Sequence, residues 1–438
     1  MYCSVAVDCP PPCFPVIDGS DSTPKSLKST VVAALFGYSL STISPDEYFD
    51  SVHRIVSLLD GENVTILRTM KQHGPRNLLE IARKAKLPYT TVYNRVTKLE
   101  NQGVLKTWIY PNYSKIGLSR AVVLATPHPG KEALAREALK VPGFWLKVAR
   151  CLGDTNGYYS QHAVPTSNRQ DFELYLEQLL ERGVVKSYRV FWLGDAGFPL
   201  TNFDYFKPKD RTWKFDWKGW LDKLTSVRAK TETTRHATPQ PEPFDERDLI
   251  ILKELTKDAR TTLADLSKLL SLTLPATKYR FDKLVARGLV QEYVIDLLPF
   301  APQISKLFDV RLDFKNESSM RAVENAISEV PIVQSYSLIT GLNSMTVRIY
   351  LPQVEVSNLF AFLSLLVSKG VLTNYSYLII DPMTIQSQTF SYKQFKNETG
   401  WDYDSREYLK TVDSLTPKWT KTEIEPNYQT LPPLSIHI

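Results

Sequence analysis

The sequence predicts an α+β fold in which a two-domain unit occurs twice in tandem. When the 438-residue chain is slid by 185 residues, Arg95 and Lys98 align with Arg280 and Lys283 without a gap. The first part of each unit has the apolar spacing of amphipathic helices, and the second part combines helical spacing with the alternation typical of strands. The expected architecture is therefore a tandem repeat of a helical domain and a mixed domain.

Composition limits the classes of protein to consider. The chain is 43% hydrophobic and carries a net charge of +6, which fits two to four globular domains. No apolar run reaches the roughly 18 to 20 residues that cross a bilayer, so we expect a cytoplasmic protein with no membrane partner. Three cysteines in a Pro-rich leader and a single Cys151 match neither a disulfide framework nor a zinc motif. We expect no metal and no cofactor.

Three helical segments open each unit. In the first unit, ENVTILRTMKQHG forms an amphipathic helix that Gly74 ends, and Asn77 is the expected N-cap of LLEIARKA. The third helix, YTTVYNRVTKLENQG, has Thr90 as its expected N-cap and Gly103 as its stop. VLKTWIYPN then alternates like one strand of a short hairpin. Three helices followed by a strand pair are the order of a winged helix-turn-helix.

The second part of each unit follows the order strand, helix, strand, strand, helix, strand. In the first unit these segments are SRAVVLAT, KEALAREALK, FWLKVARCL, GYYSQHAV, DFELYLEQLLERG and VVKSYRVFWL. In the second they are FDVRLDF, SSMRAVENAISE, IVQSYSLIT, MTVRIYL, VSNLFAFLSLLVSKG and LTNYSYLII. This order predicts the ferredoxin-like βαββαβ fold.

The remaining segments lie outside the two folds. A capping box from Ser44 to Glu47 predicts an extra helix packed on the first winged domain. FDYFKPKDRTWKFDWKGWLDKL could stack on nucleic acid, but packing over a neighbouring sheet is the favoured interpretation. TETTRHATPQPEP is typical of a hinge. The expected domains are a disordered leader (1–43), the first winged helix-turn-helix with its extra helix (44–116), the first ferredoxin-like domain (117–195), an aromatic tail and linker (196–244), the second winged helix-turn-helix (245–301), the second ferredoxin-like domain (302–382) and an aromatic C-terminal tail (383–438).

These motifs together resemble the Lrp/AsnC family of transcriptional regulators. The second copy carries the closer signature, FDERDLIILKELTKDARTTLADLSKLL, then Arg280 and KLVARGLVQEY. The resemblance spans residues 60–195 and 245–381 and rests on pattern and domain order. It implies a sequence-specific regulator that binds double-stranded DNA. It also implies an intramolecular pseudo-dimer of the two ferredoxin-like domains, with a homodimer possible.

The polar face of the third helix is the expected reader of DNA. An α-helix fits the major groove, where Asn pairs with adenine, Lys with guanine, and Thr with base or phosphate. Arg95 lies at the flank of the apolar stripe and has two open roles, a phosphate contact or an ion pair inside its own domain. The candidate DNA-binding residues are Thr90, Thr91, Asn94, Arg95, Lys98, Arg76 and Lys106 in copy one, and Lys278, Tyr279, Arg280 and Lys283 in copy two.

Charge separates the two copies. From residue 60 to 116, ten basic residues meet four acids, a surplus of +6, whereas from 245 to 301 nine basic residues meet nine acids. Asp282 also stands on the outward face where copy one has Thr97. Because neutralising phosphates supplies much of DNA affinity, copy one is the expected main contact and copy two the weaker. The alternative is that both are solvated helix faces.

One turn bears on an effector. The family carries a Gly-Asp motif between the second and third strands of the sheet domain, near an amino-acid effector. Copy one keeps Gly153, Asp154 and Asn156, whereas copy two has Leu342 in place of the acid. A small amino-acid-like effector is therefore conceivable only in copy one, and a Gly-Asp hairpin turn chosen for backbone geometry is the favoured alternative.

Two other functions were weighed. The same two-domain unit resembles siroheme decarboxylases, which would need His and Arg residues gathered around an acidic tetrapyrrole. The six histidines are scattered, with His128 and His162 expected at edges or on the surface, and no common catalytic motif is present. We therefore expect no enzyme. A protein-interaction scaffold without DNA affinity is the second alternative, and the neutral second copy favours it.

Overall fold

A computed structural model describes residues 53, 55, 57–226 and 242–419. The leader, the capping box at Ser44 and Glu47 and most of the TETTRHATPQPEP hinge lie outside these residues. The described elements occur in the predicted order, and the α+β tandem fold is confirmed. Within the described ranges, no helix is both long and apolar enough to span a bilayer.

The first winged domain forms from the helices that the sequence predicts. Asn77 caps the second helix, because its side chain accepts a hydrogen bond from the Glu80 N–H at 3.1 Å. Gly74 and Gly103, at φ 79° and 65°, follow the first and third helices as expected. Thr90 is not the N-cap: the third helix begins one residue earlier, after Pro88, without a side-chain cap. The helices are α1 (Gly61–His73), α2 (Leu78–Ala85) and α3 (Tyr89–Asn101).

A helical segment precedes α1. Its described residues, His53, Ile55, Ser57 and Leu58, are helical. Ile55 and Leu58 are buried in the apolar core that α1, α2 and α3 form. This part agrees with the extra helix expected from the sequence.

The second winged domain repeats the three helices with stronger caps. Asp245 forms a capping box with Asp248, and Thr273 accepts from the N–H of Ala276 at the start of the third helix. The helices are α7 (Glu246–Lys257), α8 (Leu263–Leu270) and α9 (Leu274–Ala286).

The wing differs from the hairpin that the sequence suggested. Strand β1 (Leu105–Pro111) pairs antiparallel with β8 (Val290–Leu297) of the other copy, with Trp108 opposite Val294 and Ile109 opposite Tyr293. Val294 and Tyr293 are the 185-residue equivalents of Ile109 and Trp108, so the ladder is locally two-fold symmetric. The hairpin prediction was wrong because each copy supplies only one strand here, and a lone strand satisfies its backbone by pairing with its sister.

The exchanged wing strands complete each other's helical cores. Ile109 of β1 lies in one buried cluster with Leu252 of α7, and Ile295 of β8 lies in another with Leu67 of α1. Each winged domain thus buries apolar side chains from the opposite copy, which ties the two domains together.

Both mixed domains have the predicted βαββαβ order. The outer face of each sheet carries its two helices. The elements of the first are β2 (Leu118–Pro127), α4 (Glu132–Ala138), β3 (Trp145–Gly153), β4 (Gly157–Pro165), α5 (Arg169–Glu181) and β5 (Val185–Gly197). Those of the second are β9 (Ser305–Asp313), α10 (Glu317–Ile327), β10 (Val333–Ile339), β11 (Ser344–Pro352), α11 (Val356–Ser368) and β12 (Asn374–Ile380).

The two four-stranded sheets join edge to edge into a closed ring. Strand β5 pairs with β10, where Ala196 faces Ser337, and β12 pairs with β3, where Leu378 faces Gly153. The order around the ring is β12, β9, β11, β10, β5, β2, β4 and β3, and β3 returns to β12. Closure pairs all four outer edges, so the ring presents no open edge strand of its own. A short strand, β13 (Gln386–Ser387), also pairs with β3.

The aromatic tails cross between the copies. After a small hairpin of β6 (Phe206–Lys207) and β7 (Thr212–Trp213), helix α6 (Trp217–Ser226) of the first tail packs on α10 and α11 of the second ferredoxin-like domain. After β14 (Phe395–Lys396) and β15 (Gly400–Trp401), helix α12 (Ser405–Trp419) packs on α4 and α5 of the first. The first tail therefore packs on protein, as expected, but on helices and not over a sheet.

Candidate nucleic-acid interface

Helix α3 has one buried and one open face. Val92, Val96 and Leu99 are fully buried in the winged core. Thr90, Asn94 and Lys98 are exposed on the other side, and Thr91 is half-buried. The side chains that the sequence proposed as base readers therefore stand together on the outward surface of one rigid helix.

Four exposed cations lie on α2, on α3 and in the turn between them. The side chains of Arg83, Lys84, Lys86 and Lys98 are exposed. None of them has a carboxylate partner among the residues with described side chains. Sequence reasoning selected only Lys98 and missed the other three, although the run RKAK at the end of α2 was visible. We refer to these four as the basic face.

Two tyrosines on α3 were also missed. Tyr89 and Tyr93 are 47% and 46% exposed, and their ring centroids lie 6.1 Å apart. Large aromatic side chains held at this exposure beside Asn94 offer an apolar contact surface, which suits the methyl group of thymine. The signal was the i, i+4 spacing of two tyrosines on the face opposite the apolar stripe.

Of the two roles considered for Arg95, the structure shows the ion pair within its own domain. Its guanidinium lies 2.7 Å from the Asp60 carboxylate and also pairs with Glu62. Arg280, its equivalent, pairs with Asp245 at 2.9 Å and Asp248 at 2.8 Å. Because both copies bind the arginine to acids at the start of the first helix, Arg95 and Arg280 position α3 and α9.

Arg76 does not belong to the DNA-facing surface. Its guanidinium donates to the backbone carbonyls of Ala259 and Thr261 in the other winged domain, the second at 3.0 Å. It also stacks 4.7 Å from the centroid of the Phe281 ring. Arg76 therefore joins the two winged domains, and Arg260 does the same from the other side through Glu100 at 2.7 Å.

Lys106, a second candidate DNA-binding residue from the sequence, lies in the wing ladder and not on α3. It lies directly opposite Asp296. Burial lowers its pKa, against the opposing effect of Asp296 and Asp258. Its partial burial beside two acids argues against a phosphate contact.

The matching face of the second winged domain is less charged. Lys278 is neutralised by Asp282 at 2.5 Å, and the Lys283 ammonium lies 5.9 Å from the centroid of the Tyr279 ring. Tyr279 is 67% exposed, and Leu274 and other apolar side chains are exposed near it. The two copies therefore differ in the charge of their exposed surfaces as well as in their counts of charged residues.

The turn proposed for an effector is held by its own contacts. The Asp154 carboxylate pairs with Arg189 at 2.7 Å, and the Asn156 side chain accepts from the Gly153 N–H at 3.2 Å. Gly153 has φ 122°, and an added Cβ would lie 2.6 Å from the Tyr377 carbonyl oxygen. These contacts are sufficient to explain all three residues as parts of a turn at the β3–β12 junction. An amino-acid ammonium group would have to compete with Arg189 for the Asp154 carboxylate.

His162 is not a surface residue. It is 1% exposed, its ring lies 4.9 Å from that of Phe172, and its Nε2 is 3.0 Å from the Ser160 Oγ. Burial lowers the pKa of His162 to about 3, so the ring is neutral at pH 7. Across the described ranges, no three metal-ligating side chains gather into a site.

Comparison with known proteins places the chain among regulators. A family model described as winged helix-turn-helix DNA-binding matches residues 244–291. An uncharacterized HTH-type transcriptional regulator of Pyrococcus furiosus is 30% identical over 119 residues, covering 27% of this chain and 77% of that protein. The HTH-type transcriptional regulator LrpA of Pyrococcus abyssi is 31% identical over 97 residues, covering 22% of this chain and 68% of LrpA.

Solved structures resemble the chain at low sequence identity. The siroheme decarboxylase NirDL is 13% identical and covers 81% of this chain and 100% of that chain, with a TM-score of 0.48. AsnC of Escherichia coli is 18% identical and covers 32% of this chain and 92% of that chain, with a TM-score of 0.24.

Proposed function

Because the chain belongs to the Lrp/AsnC family of helix-turn-helix transcriptional regulators, we propose that it controls transcription in the cytoplasm by sequence-specific binding of double-stranded DNA through α3. The observation that carries the proposal is the basic face, four exposed cations without carboxylate partners on the helix-turn-helix that also exposes Thr90 and Asn94. A cationic surface around a polar helix matches the sugar-phosphate backbone on either side of a major groove.

The two kinds of contact have separate tasks in this proposal. Asn94 reads adenine through its amide, and Lys98 reads guanine, because their side chains project from the exposed face of α3. Arg83, Lys84 and Lys86 contact phosphates, which fixes the register of α3 in the groove without reading sequence. Arg95 supports them by tying α3 to α1.

The duplicated chain takes the place of two subunits in this proposal. The wing ladder, the closed ring and the crossed tails hold two helix-turn-helix units in one body. The domain boundaries expected from the sequence are part of the proposal. Further pairing of whole chains into a homodimer remains part of the proposal. So does an effector at Gly153, Asp154 and Asn156, which would act by displacing Arg189 from Asp154.

The proposed role is regulatory and involves no catalytic step. The second winged domain contributes less to DNA affinity, because its exposed helix presents Tyr279, Leu274 and an internally paired Lys278. That apolar surface is the specific observation in favour of the alternative, a protein-interaction scaffold.

Selection of genomic fragments tests the proposal. The purified full chain is mixed with sheared DNA from its source genome, and bound fragments are sequenced and footprinted. We expect a small set of enriched sites with a shared motif. Recovery of fragments without any common sequence would reject specific regulation and favour the scaffold.

A further inference from the structure

The closed ring has a charged interior. Along β2, Arg120 shares a face with Val122 and Leu124, which line a small space together with Ile339 and Leu378 of the second sheet, whereas Val123 belongs to the core beneath the helices of the first domain. The same alternation places Lys147 with Ala149 on β3. Three of the side chains that enter this space are the cations Arg120, Lys147 and Arg348, which we call the interior cations.

The two arginines are incompletely satisfied. Arg120 is 8% exposed; it donates to the Tyr110 hydroxyl at 2.6 Å and approaches the Ser337 hydroxyl at 3.5 Å. Arg348 is 6% exposed; it donates to the Tyr159 hydroxyl at 2.7 Å and to Asp309 at 3.1 Å. The Nε–H of each guanidinium has no hydrogen-bond partner among the described residues. Of the two buried guanidinium groups, Arg348 therefore pairs with a carboxylate, whereas the partners of Arg120 are hydroxyl groups.

Lys147 adds a third positive charge. Its side chain makes no hydrogen bond or ion pair with any residue that the structure describes, although its backbone pairs within the sheet. Burial lowers its pKa, and the charges of Arg348, Lys106 and Arg120 lower it further, while Asp296 opposes them. The three interior cations and Lys106 thus face three acids, Asp309, Asp296 and Asp258, which leaves a surplus of one positive charge. Unpaired charge away from water is strongly unfavourable, so a counter-anion would stabilise this arrangement.

A cavity of about 40 Å³ lies beside the wing ladder and is lined by Trp108, Phe198, Asp296 and Gln334, among others. Its link to the interior cations is Asp296, the acid that opposes the lowering of the Lys147 pKa. Both polar atoms of the Gln334 side-chain amide are buried without partners. Space of this size admits a few non-hydrogen atoms, and the unpartnered Gln334 amide supplies a donor inside it.

We propose that the interior cations bind a small oxyanion, a carboxylate or a phosphate, inside the ring. Guanidinium groups favour such oxyanions because two N–H donors match two oxygens. The site lies between the two copies, since Arg120 and Lys147 come from the first sheet and Arg348 from the second. It is separate from α3 and does not depend on DNA binding.

Thermal unfolding of the full chain tests the site with Lys147→Met and the matched control Lys186→Met, which changes an exposed lysine of β5. The probes are acetate, succinate and inorganic phosphate, each against chloride at equal ionic strength. We expect at least one probe to raise the Tm of the parent protein and of the control by about 2 °C or more, and not that of Lys147→Met. In chloride, Lys147→Met should unfold at a higher temperature than the parent, because repulsion is removed.

Three outcomes would overturn the proposal. They are no shift with any probe, a shift that Lys147→Met retains, and a Lys147→Met protein less stable than the parent in chloride, which would mean that Asp296 alone satisfies the lysine. Acetate or succinate against phosphate separates the two classes of oxyanion. Calorimetric titration of the parent protein, with one anion expected per chain, decides the matter if Lys147→Met does not fold.

Discussion

Replacing Asn94 or Lys98 with alanine is expected to weaken binding to a cognate duplex by about 10-fold or more, whereas Lys283→Ala changes it by less than about 3-fold. A well-placed side chain in the major groove contributes roughly 1–3 kcal/mol of discrimination, and 1.4 kcal/mol is a factor of ten. Asn94 and Lys98 are exposed on α3 beside three further cations, while Lys283 lies against the Tyr279 ring. Fluorescence anisotropy with a labelled site measures the effect.

The pair Lys98→Ala and Lys283→Ala is its own control, because the two lysines occupy equivalent positions, are both exposed and lose the same charge. Far-UV circular dichroism checks that each variant is folded. Equal loss of affinity in both would refute the asymmetry between the copies. Loss in Lys283→Ala alone would reverse their roles.

Trp220→Ala is expected to lower the free energy of unfolding by about 3–5 kcal/mol, the usual cost of removing a fully buried large aromatic side chain. Trp220 is 1% exposed, and its ring centroid lies 5.0 Å from that of Trp217, whose indole N–H donates to Glu355. The substitution therefore loosens the first tail from the second ferredoxin-like domain. Urea denaturation followed by tryptophan fluorescence and circular dichroism measures the change.

Val354→Ala is the matched control for this substitution. Val354 lies in the second ferredoxin-like domain, on which α6 packs, but it is 85% exposed, so its truncation should change stability by no more than about 0.5 kcal/mol. A Trp220→Ala protein as stable as this control would mean that the crossed tail does not hold the two copies together.

The sequence predicts the elements well because their signals are local. The apolar spacing of Val92, Val96 and Leu99 identified one buried helix face, and all three side chains are fully buried. Helix ends are also set by local signals: Asn77 and Gly103 were predicted from residue type alone. Thr90 failed as a cap because Pro88 already sets the extended backbone that precedes a helix.

The sequence did not predict which segments distant in the chain pair or pack with each other. The alternation in VLKTWIYPN identifies a strand, but it does not distinguish a local hairpin partner from the sister strand 185 residues away. The sequence does not predict the crossing of the tails either, because Trp220 would be apolar and buried on either ferredoxin-like domain. In a symmetric repeat, a sequence pattern cannot show whether a segment packs on its own copy or on the other, since both copies offer the same contacts.

The candidate site shows why counting charges is insufficient. Arg76 and Lys106 contribute to the +6 of the first winged domain, yet one binds backbone carbonyls and the other faces Asp296. The available cations include Arg83 and Lys84, which the sequence argument had counted but not selected. Burial and pairing decide which charges reach a ligand, and these depend on the tertiary structure.

The most direct test of DNA binding through the basic face is the salt dependence of affinity for one selected site. If Arg83, Lys84 and Lys86 of the basic face neutralise phosphates, log K should fall with log salt concentration at a slope of roughly −3. The slope should be shallower by about 1 in Lys84→Ala, a phosphate contact, and unchanged in Lys283→Ala. A slope near zero, or the same slope in Lys84→Ala as in the parent protein, would contradict the account.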